Sequence, residues 1–531
     1  MNTKLITRIG LVGVLAFVLF MNGKNLRENS FIKKNEQAIG ELPPSLQVTS
    51  VALGPMKGLL ADVIWWRAER MLENKEFFES LQLAEWLTAL QPTYESVWSY
   101  QGFNLAFNIS KNFTDVEERW KWILAGIEIL RDRGLVYNPD WENNRKIRAE
   151  IVNIIYRKLA EVSDVEAQRF QDKWTLIMLK YLDSGTIEEL NLINDAYESL
   201  EALMKDEDVI NLSVRLNLDS GSLAKMIIES PPNLSSLVAD SPQARSFNSA
   251  IYKIYRFTQR RNLKEELNMD IDRMIEIDKD YGPLDWRTHQ AQLIYWGAED
   301  DLKKSDHPSF RYSHIVRAAM VTSFYNGRIL FSEDRSYFMR THNLEMLPRI
   351  LDYFTFALGE YDSDSNAYRM ADNAKRDFLE RAAVICYNYN QMDAANELFN
   401  QYEEYLEREG RSMSFQQFIV QGMERSLKQE NYKSRRAFLE SIITKALEDA
   451  SLGEMGRYQG YTKLIRMIYN MHQKKHANSP ARLLPPLSDI IISAKKSYAK
   501  KKNKTENDLN EIIKQAEEFK EPAKKLNFSI N

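Results

Sequence analysis

At 531 residues the chain is too long for one compact core, and its 20 glycines and 15 prolines favour long helices over many short strands. A formal net charge of −4 gives no global pull toward nucleic acid. The one cysteine, Cys386, excludes an intrachain disulfide, a cysteine-rich zinc site and an iron–sulfur cluster.

The N-terminus opens with Lys4 and Arg8, followed by the uncharged apolar run Ile9–Met21 of 13 residues. Counted from Leu5, with Arg8 snorkelling, the run reaches 17 residues, against the roughly 20 of a typical span. Phe20, Met21 and Asn22 leave no small-x-small cleavage site, and no cysteine is available for a lipid. Residues 1–23 are therefore expected to form an uncleaved signal anchor, with a cleaved signal or a buried N-terminal helix as alternatives. Lys24, Arg27, Lys33 and Lys34 compete with Lys4 and Arg8 over orientation. The expectation is a single-pass protein of the cell inner membrane whose helical body is extracytoplasmic.

Residues 24–50 form a polar linker closed by Glu41–Ser45 (ELPPS), a stiff segment. An N-terminal helical region follows over 51–205. Gly54-Pro55 starts a helix over about 56–73, Asn74-Lys75 turns the chain, and a second helix covers about 76–90 before Gln91-Pro92 stops it. The next helix holds Trp98 and Gly102. An extended turn over 110–117 leads to a helix with Trp120, Trp122 and Gly126 that ends near Tyr137–Pro139 (YNP). Trp141–Val162 opens a further hairpin, in which Ala149 repeats the offset of Gly102 from its preceding proline.

Residues 206–249 lose the helical pattern and read as an irregular insertion, with Ser230–Asn233 (SPPN) and Ser241-Pro242 as breakers. A second helical region spans 250–476. It includes Ala250–Asp280, a sharp break at Tyr281–Arg287 (YGPLDWR), and helices over Thr288–Leu302, 312–331 and 345–359. Asp377–Glu407 reads as a late hairpin with Ala383, Ala395 and Phe399 at its packing positions, and helices over 413–428, 432–450 and 454–473 follow. The remainder, 477–531, is a Pro/Lys-rich tail with Pro485-Pro486, the basic run Lys495–Lys504 and a short helix near 505–519. Strand-like alternation is sparse.

Ala68 and Gly102 lie 34 residues apart and Trp65 and Trp98 lie 33 apart, a period that marks stacked helical hairpins. On these residues the chain resembles tetratricopeptide-repeat (TPR) proteins over about 56–160 and 370–407. More narrowly, GLLADVIWWRAE, ALQPTYESVWSYQGFNLAFNIS, the Trp-rich helix ending YNP, and YGPLDWR resemble a group of membrane-anchored bacterial TPR-like proteins. The resemblance implies an all-α fold, a TPR-like α-solenoid of stacked antiparallel hairpins behind an N-terminal transmembrane helix. It brings no catalytic residue with it.

Stacked hairpins bind other polypeptides far more often than they do chemistry. A protein or peptide partner is expected, with no cofactor, no nucleic acid and no catalysis; a carbohydrate-active or other hydrolase with an aromatic and acidic cleft is the alternative. Trp65 and Trp66 point about 100° apart on a helix, so one can leave the core. Trp66, Arg67, Asn104 and Asn108 are candidates for a partner groove, the two carboxamides being four apart and able to bracket a peptide backbone. Trp286 and Arg287 join them as a binding loop, against a reading of YGPLDWR as a connector in which Asp285 caps the next helix. His472 and His476 share a helix face but lack an intervening HExxH glutamate, and His307 and His314 flank Pro308; neither pair is taken as a metal site. Glu117/Glu118 and Glu403/Glu404 read as solvated helix faces, and Cys386 as packing. Lys495–Lys504 is a solvated run that can touch anionic lipid if it lies near a membrane.

Overall fold

The structure, a computed structural model, describes residues 57–518 apart from 141–143, 161–164, 230–243, 299–309, 332–337, 428–434, 476, 478–482 and 503–504. The signal anchor, the linker, His307 and His476 lie outside the described residues. Helix makes up 78% of the structure and strand 2%, so the class is all-α. Among the described residues no helix is long and apolar enough to cross a membrane. The chain divides into two compact units, Met1–Met320 and Val321–Asn531.

The first unit begins with α1 (Lys57–Glu73) and α2 (Phe77–Leu90), antiparallel across the Asn74-Lys75 turn, where Lys75 takes a left-handed φ of 66°. Ala61, Ile64 and Ala68 on α1 meet Leu83, Leu87 and Leu90 on α2 and Val97 beyond it, an i, i+3, i+7 face against its complement. Ser80 ties the pair by donating its hydroxyl to the carbonyl of Ala68. Pro92 then stops α2, as the sequence suggested, and α3 (Glu95–Phe103) follows.

Here two features appear that no periodicity announces. The helix widens into a π-helical stretch at Asn104–Ile109, and the next helix, α4 (Val116–Glu128), does so at Ile129–Gly134. Asp115 caps α4 through the Glu118 N–H. The two helices cross at glycines. A Cβ on Gly126 would stand 2.8 Å from the Gly102 carbonyl oxygen, and one on Gly102 would stand 2.6 Å from Leu130. Trp98 is fully buried beside this crossing, stacked on Tyr137 and donating its indole N–H to the Pro92 carbonyl at 2.7 Å. The long helix α5 (Arg145–Leu159) packs behind α3 and α6 (Val165–Met178) completes this part.

The rest of the unit comprises α7 (Ile187–Asn194), α8 (Glu207–Arg215), α9 (Ser220–Glu229), α10 (Ala244–Glu265), α11 (Ile271–Tyr281) and α12 (His289–Gly297). Residues 207–229, expected to be irregular, are thus largely helical. Val209, Leu212, Leu223 and Ile227 form a core with Ile254 and Phe257 of α10, and Asp206 caps α8 while pairing with Lys253. The helices are only 9 and 10 residues long, too short for their periodicity to stand out against the nearby prolines.

α13 (Phe310–Asn326) leads into the second unit and stops at Gly327, short of the residue 331 expected from sequence. The chain instead forms an antiparallel hairpin, β1 (Arg328–Phe331) with β2 (Phe338–Thr341), in which Arg328 faces Thr341. The unit continues through α14 (Leu347–Glu360), α15 (Asn366–Asn388), α16 (Met392–Arg408), α17 (Phe415–Leu427), α18 (Arg435–Ala450) and α19 (Met455–Lys475). The expected late hairpin is α15 against α16, with Ala383, Ala395 and Phe399 all buried. Within the expected tail, the described residues 487–502 and 506–518 are packed helices. α20 (Leu487–Lys502) buries Ile490, Ala494 and Tyr498 and packs on α18, and α21 (Glu506–Glu518) packs on α19. Lys496 and Lys500 ride the exposed side of an otherwise docked helix.

Candidate functional site

The YGPLDWR segment connects α11 to α12, and its side chains turn inward. Asp278, on the last turn of α11, accepts from the Leu284 N–H at 3.0 Å and the Trp286 indole N–H at 2.9 Å. The Trp286 backbone N–H goes to the Gly185 carbonyl at 2.9 Å, so the connector is bonded to the 183–185 turn. Arg287 forks onto Asp285, Nε to Oδ1 at 2.8 Å and Nη2 to Oδ2 at 2.7 Å, and its Nη1 reaches the Asp183 carbonyl. Trp286 is 0% and Arg287 5% exposed. The structure therefore places both in the core, where a partner chain cannot reach them. The cap of α12 is Thr288, whose hydroxyl receives the Ala291 N–H; Asp285 holds Arg287 instead.

The other groove candidates separate. Trp66 is 62% exposed and Arg67 is exposed beside it, whereas Asn104 is 0% exposed at the α3–α4 crossing and Asn108 is half-buried. Neither side-chain atom of Asn104 has a hydrogen-bond partner among the described residues. The two asparagines do not make a pair on an open face. On α1, Trp66 belongs to a stripe: Leu59, Val63 and Trp66 are each about three-fifths exposed, and the Arg70 guanidinium lies 5.5 Å from the Trp66 ring centroid. Their i, i+4, i+7 spacing puts them on one side of the helix, opposite Ala61, Ile64 and Ala68. On α2, Phe78 and Trp86 are also exposed, Phe78 resting edge-on against Trp122. The stripe is half-legible in the sequence: Trp66 stands out beside Trp65, while Leu59 and Val63 sit at the spacing that finds them.

A cavity of about 270 Å³ in the same unit has aromatic and acidic walls. Trp174, Tyr181 and Trp296 line it with Glu128, Asp132 and Glu266. Its carboxylates are mostly engaged: Arg131 forks onto Asp132, and the Tyr181 hydroxyl donates to Glu266 at 2.7 Å. Burial and the Glu266 carboxylate push the Tyr181 phenol well above its ordinary value. Glu128 is held above the usual carboxylate range by burial, against the pull of Arg131. Arg131 and Asp132 belong to the π-helical stretch, a feature that recurs at functional sites. Trp174 and Trp296 were present in the sequence without any spacing that joins them to Arg131.

The remaining candidates have plain settings. Cys386 is fully buried, and burial pushes its thiol up to about 12, out of nucleophile range. Glu117 pairs with Lys173 and Glu118 with Lys121, and Glu403 and Glu404 are exposed on α16. Among the described residues no three of His, Cys, Asp and Glu converge as a metal site. No protein-family model, curated protein or solved structure matches this chain.

Proposed function

We propose that this chain is a membrane-anchored, TPR-like helical scaffold that docks a protein or peptide partner on the outer face of its first hairpin, in an extracytoplasmic compartment. The observation that carries the reading is the Leu59–Val63–Trp66 stripe, three large apolar side chains left in water on one side of α1. Single exposed apolar residues are ordinary, but an aligned set on one helix face is the form in which helices meet partners. Trp66 with Arg70 stacked against it supplies the residue types that anchor interfaces. The short apolar run Ile9–Met21 supports the anchor, and the helix-turn-helix pair α1–α2 supports the TPR likeness.

A photocrosslinking amino acid placed at Val63 in the membrane-bound protein is the test. A discrete adduct is expected, and it should disappear when Trp66 is changed to Asp while one placed at the exposed Glu404 gives none. Equal labelling at both positions removes the docking face. A second reading is favoured by the cavity that joins Trp174, Tyr181 and Trp296 to Glu128, Asp132 and Glu266, a set of rings and acids suited to a sugar. On that reading Glu128, held above the usual carboxylate range, is the proton donor. Hydrolysis of aryl glycosides that is lost in Glu128→Gln would move the assignment from scaffold to enzyme.

A further inference from the structure

The second unit encloses a larger cavity, about 550 Å³, between α15, α17, α18 and α19. Close helix approach shapes it: a Cβ on Gly422 would stand 2.6 Å from Val384, and one on Gly460 would meet the Asn388 carbonyl. Its floor is polar and built around one guanidinium. Arg457 is 5% exposed. Its Nη1 donates to the hydroxyls of Thr341 at 3.3 Å and Tyr389 at 3.4 Å, and its Nη2 to Tyr461 at 3.2 Å. All three bonds are at or beyond the long end of the normal range and go to neutral oxygens. Asp449 balances the charge, its Oδ2 standing 2.9 Å from Nε, yet the two atoms lack hydrogen-bonding alignment. A buried guanidinium held this loosely has unspent donor capacity toward the cavity.

The walls add charge of the same sign. Arg381, Arg425, Lys445 and Arg457 line the cavity with two carboxylates, Asp377 and Glu380. Glu380 is taken by Arg425. Arg381 and Lys445 make no ion pair among the described residues, and both are exposed at the mouth. The field converges on His342, a lining residue that burial and then the charges of Arg457 and Lys445 push down to about 3. The histidine is thus a neutral ring, with Arg457 and Lys445 both opposing its protonation.

We propose that this cavity binds a small molecule through an oxyanion, a carboxylate or a phosphate, seated on Arg457 and drawn in by Arg381 and Lys445. An oxyanion meets the planar fork of Arg457 with two short charge-assisted bonds in place of long neutral ones. The volume admits a body of metabolite size behind that group. Asn388 gives the wall a polar side chain: it is 6% exposed, and its Oδ1 has no hydrogen-bond partner among the described residues.

The test is calorimetric titration of the full-length chain with citrate and with inorganic phosphate at constant ionic strength, glycerol serving as the neutral control. Saturable heat is expected from at least one anion and none from glycerol, and the anion that binds identifies the oxyanion. Hydrogen exchange should slow in the segments holding Asn388 and Arg457. Lys445→Glu and Arg381→Glu change exposed positions, so folding is preserved, and each should weaken binding about tenfold or more. Arg457→Lys keeps the charge but loses the fork and should weaken it further, with circular dichroism checking that the unit still folds. No saturable heat from either anion up to about 10 mM, or unchanged affinity in both mouth variants, overturns the proposal.

Discussion

Replacing Gly185 by alanine tests whether the YGPLDWR connector is pinned from outside its own segment. Gly185 has φ +66°, a left-handed conformation, and a Cβ added there would stand 2.6 Å from Asp285 Oδ1 and 2.9 Å from Arg287 Cγ. Ordinary contact begins at 3.4 Å, so the buried carboxylate must retreat by most of an ångström. Asp285 cannot do so freely, because the same Oδ1 accepts from the Arg287 backbone N–H at 3.1 Å and from its Nε at 2.8 Å. The left-handed Cβ costs about 1–2 kcal/mol and forced overpacking about 1–3 kcal/mol, for an expected loss of about 2–5 kcal/mol. All ten tryptophans lie between Trp65 and Trp296, so tryptophan emission in a urea titration follows the first unit alone. Asp285→Ala by itself leaves Arg287 buried without its partner and should cost about 3–5 kcal/mol. In that background Gly185→Ala should cost less than in the parent, because its nearest clash has gone. A cost below about 1 kcal/mol in the parent, or an unchanged cost in the Asp285→Ala background, would refute the argument that these groups form one packed unit.

Other outcomes follow from the same contacts. Trp98→Ala should lower the first unit's urea stability by about 3–5 kcal/mol, since a fully buried indole and its bond to the Pro92 carbonyl are both lost. Asn104→Leu should do the opposite and raise it by about 1–2 kcal/mol, because the buried carboxamide has no hydrogen-bond partner among the described residues; a lower midpoint would show that the amide is engaged. Gly126→Ala should destabilise more than Gly102→Ala, the first striking a backbone oxygen and the second a leucine side chain that can rotate, and paired thermal melts would rank them. His342 titrates near 6.5 when unfolded and is pushed down to about 3 in the fold by burial and by Arg457 and Lys445. Its neutral form is the folded one, so the unfolded chain binds the extra proton between those values and the second unit loses stability as pH falls from 7 to 4. The loss from this group should be about 2–3 kcal/mol at pH 4, and hydrogen exchange within the second unit should show it shrinking in His342→Gln.

Legibility in the sequence tracked how far each determinant lies from its partner along the chain. The first hairpin could be read because everything that sets it is local: the Asn74-Lys75 turn, the Pro92 stop, and an apolar face at helical spacing. Trp98, which is buried, and Gly102, which lies at a crossing, sit on a helix delimited by the same local signals. The π-helical stretches could not be read: Asn104–Ile109 and Ile129–Gly134 continue ordinary helical segments with no Pro or Gly break at their start to announce the change. The β-hairpin after Gly327 hid within four-residue strands, below the length at which alternation declares itself.

The connector shows most clearly why residue type alone misleads about a site. Trp286 and Arg287 at a Gly-Pro break are the composition of a binding loop, and also of a buried staple. The deciding fact is Gly185, about a hundred residues away, whose carbonyl takes the Trp286 N–H and whose missing side chain leaves room for the Asp285–Arg287 pair. Asp278 supplies the other half by accepting the indole N–H. With both N–H groups of Trp286 bonded internally, turning it out toward a partner would break two hydrogen bonds and strand their acceptors in the core. Trp66 lies at the other extreme, a ring 62% exposed among the described residues, with its neighbours Leu59 and Val63 exposed beside it. The energetic asymmetry between these two tryptophans is what moves the proposed docking face from the connector to α1.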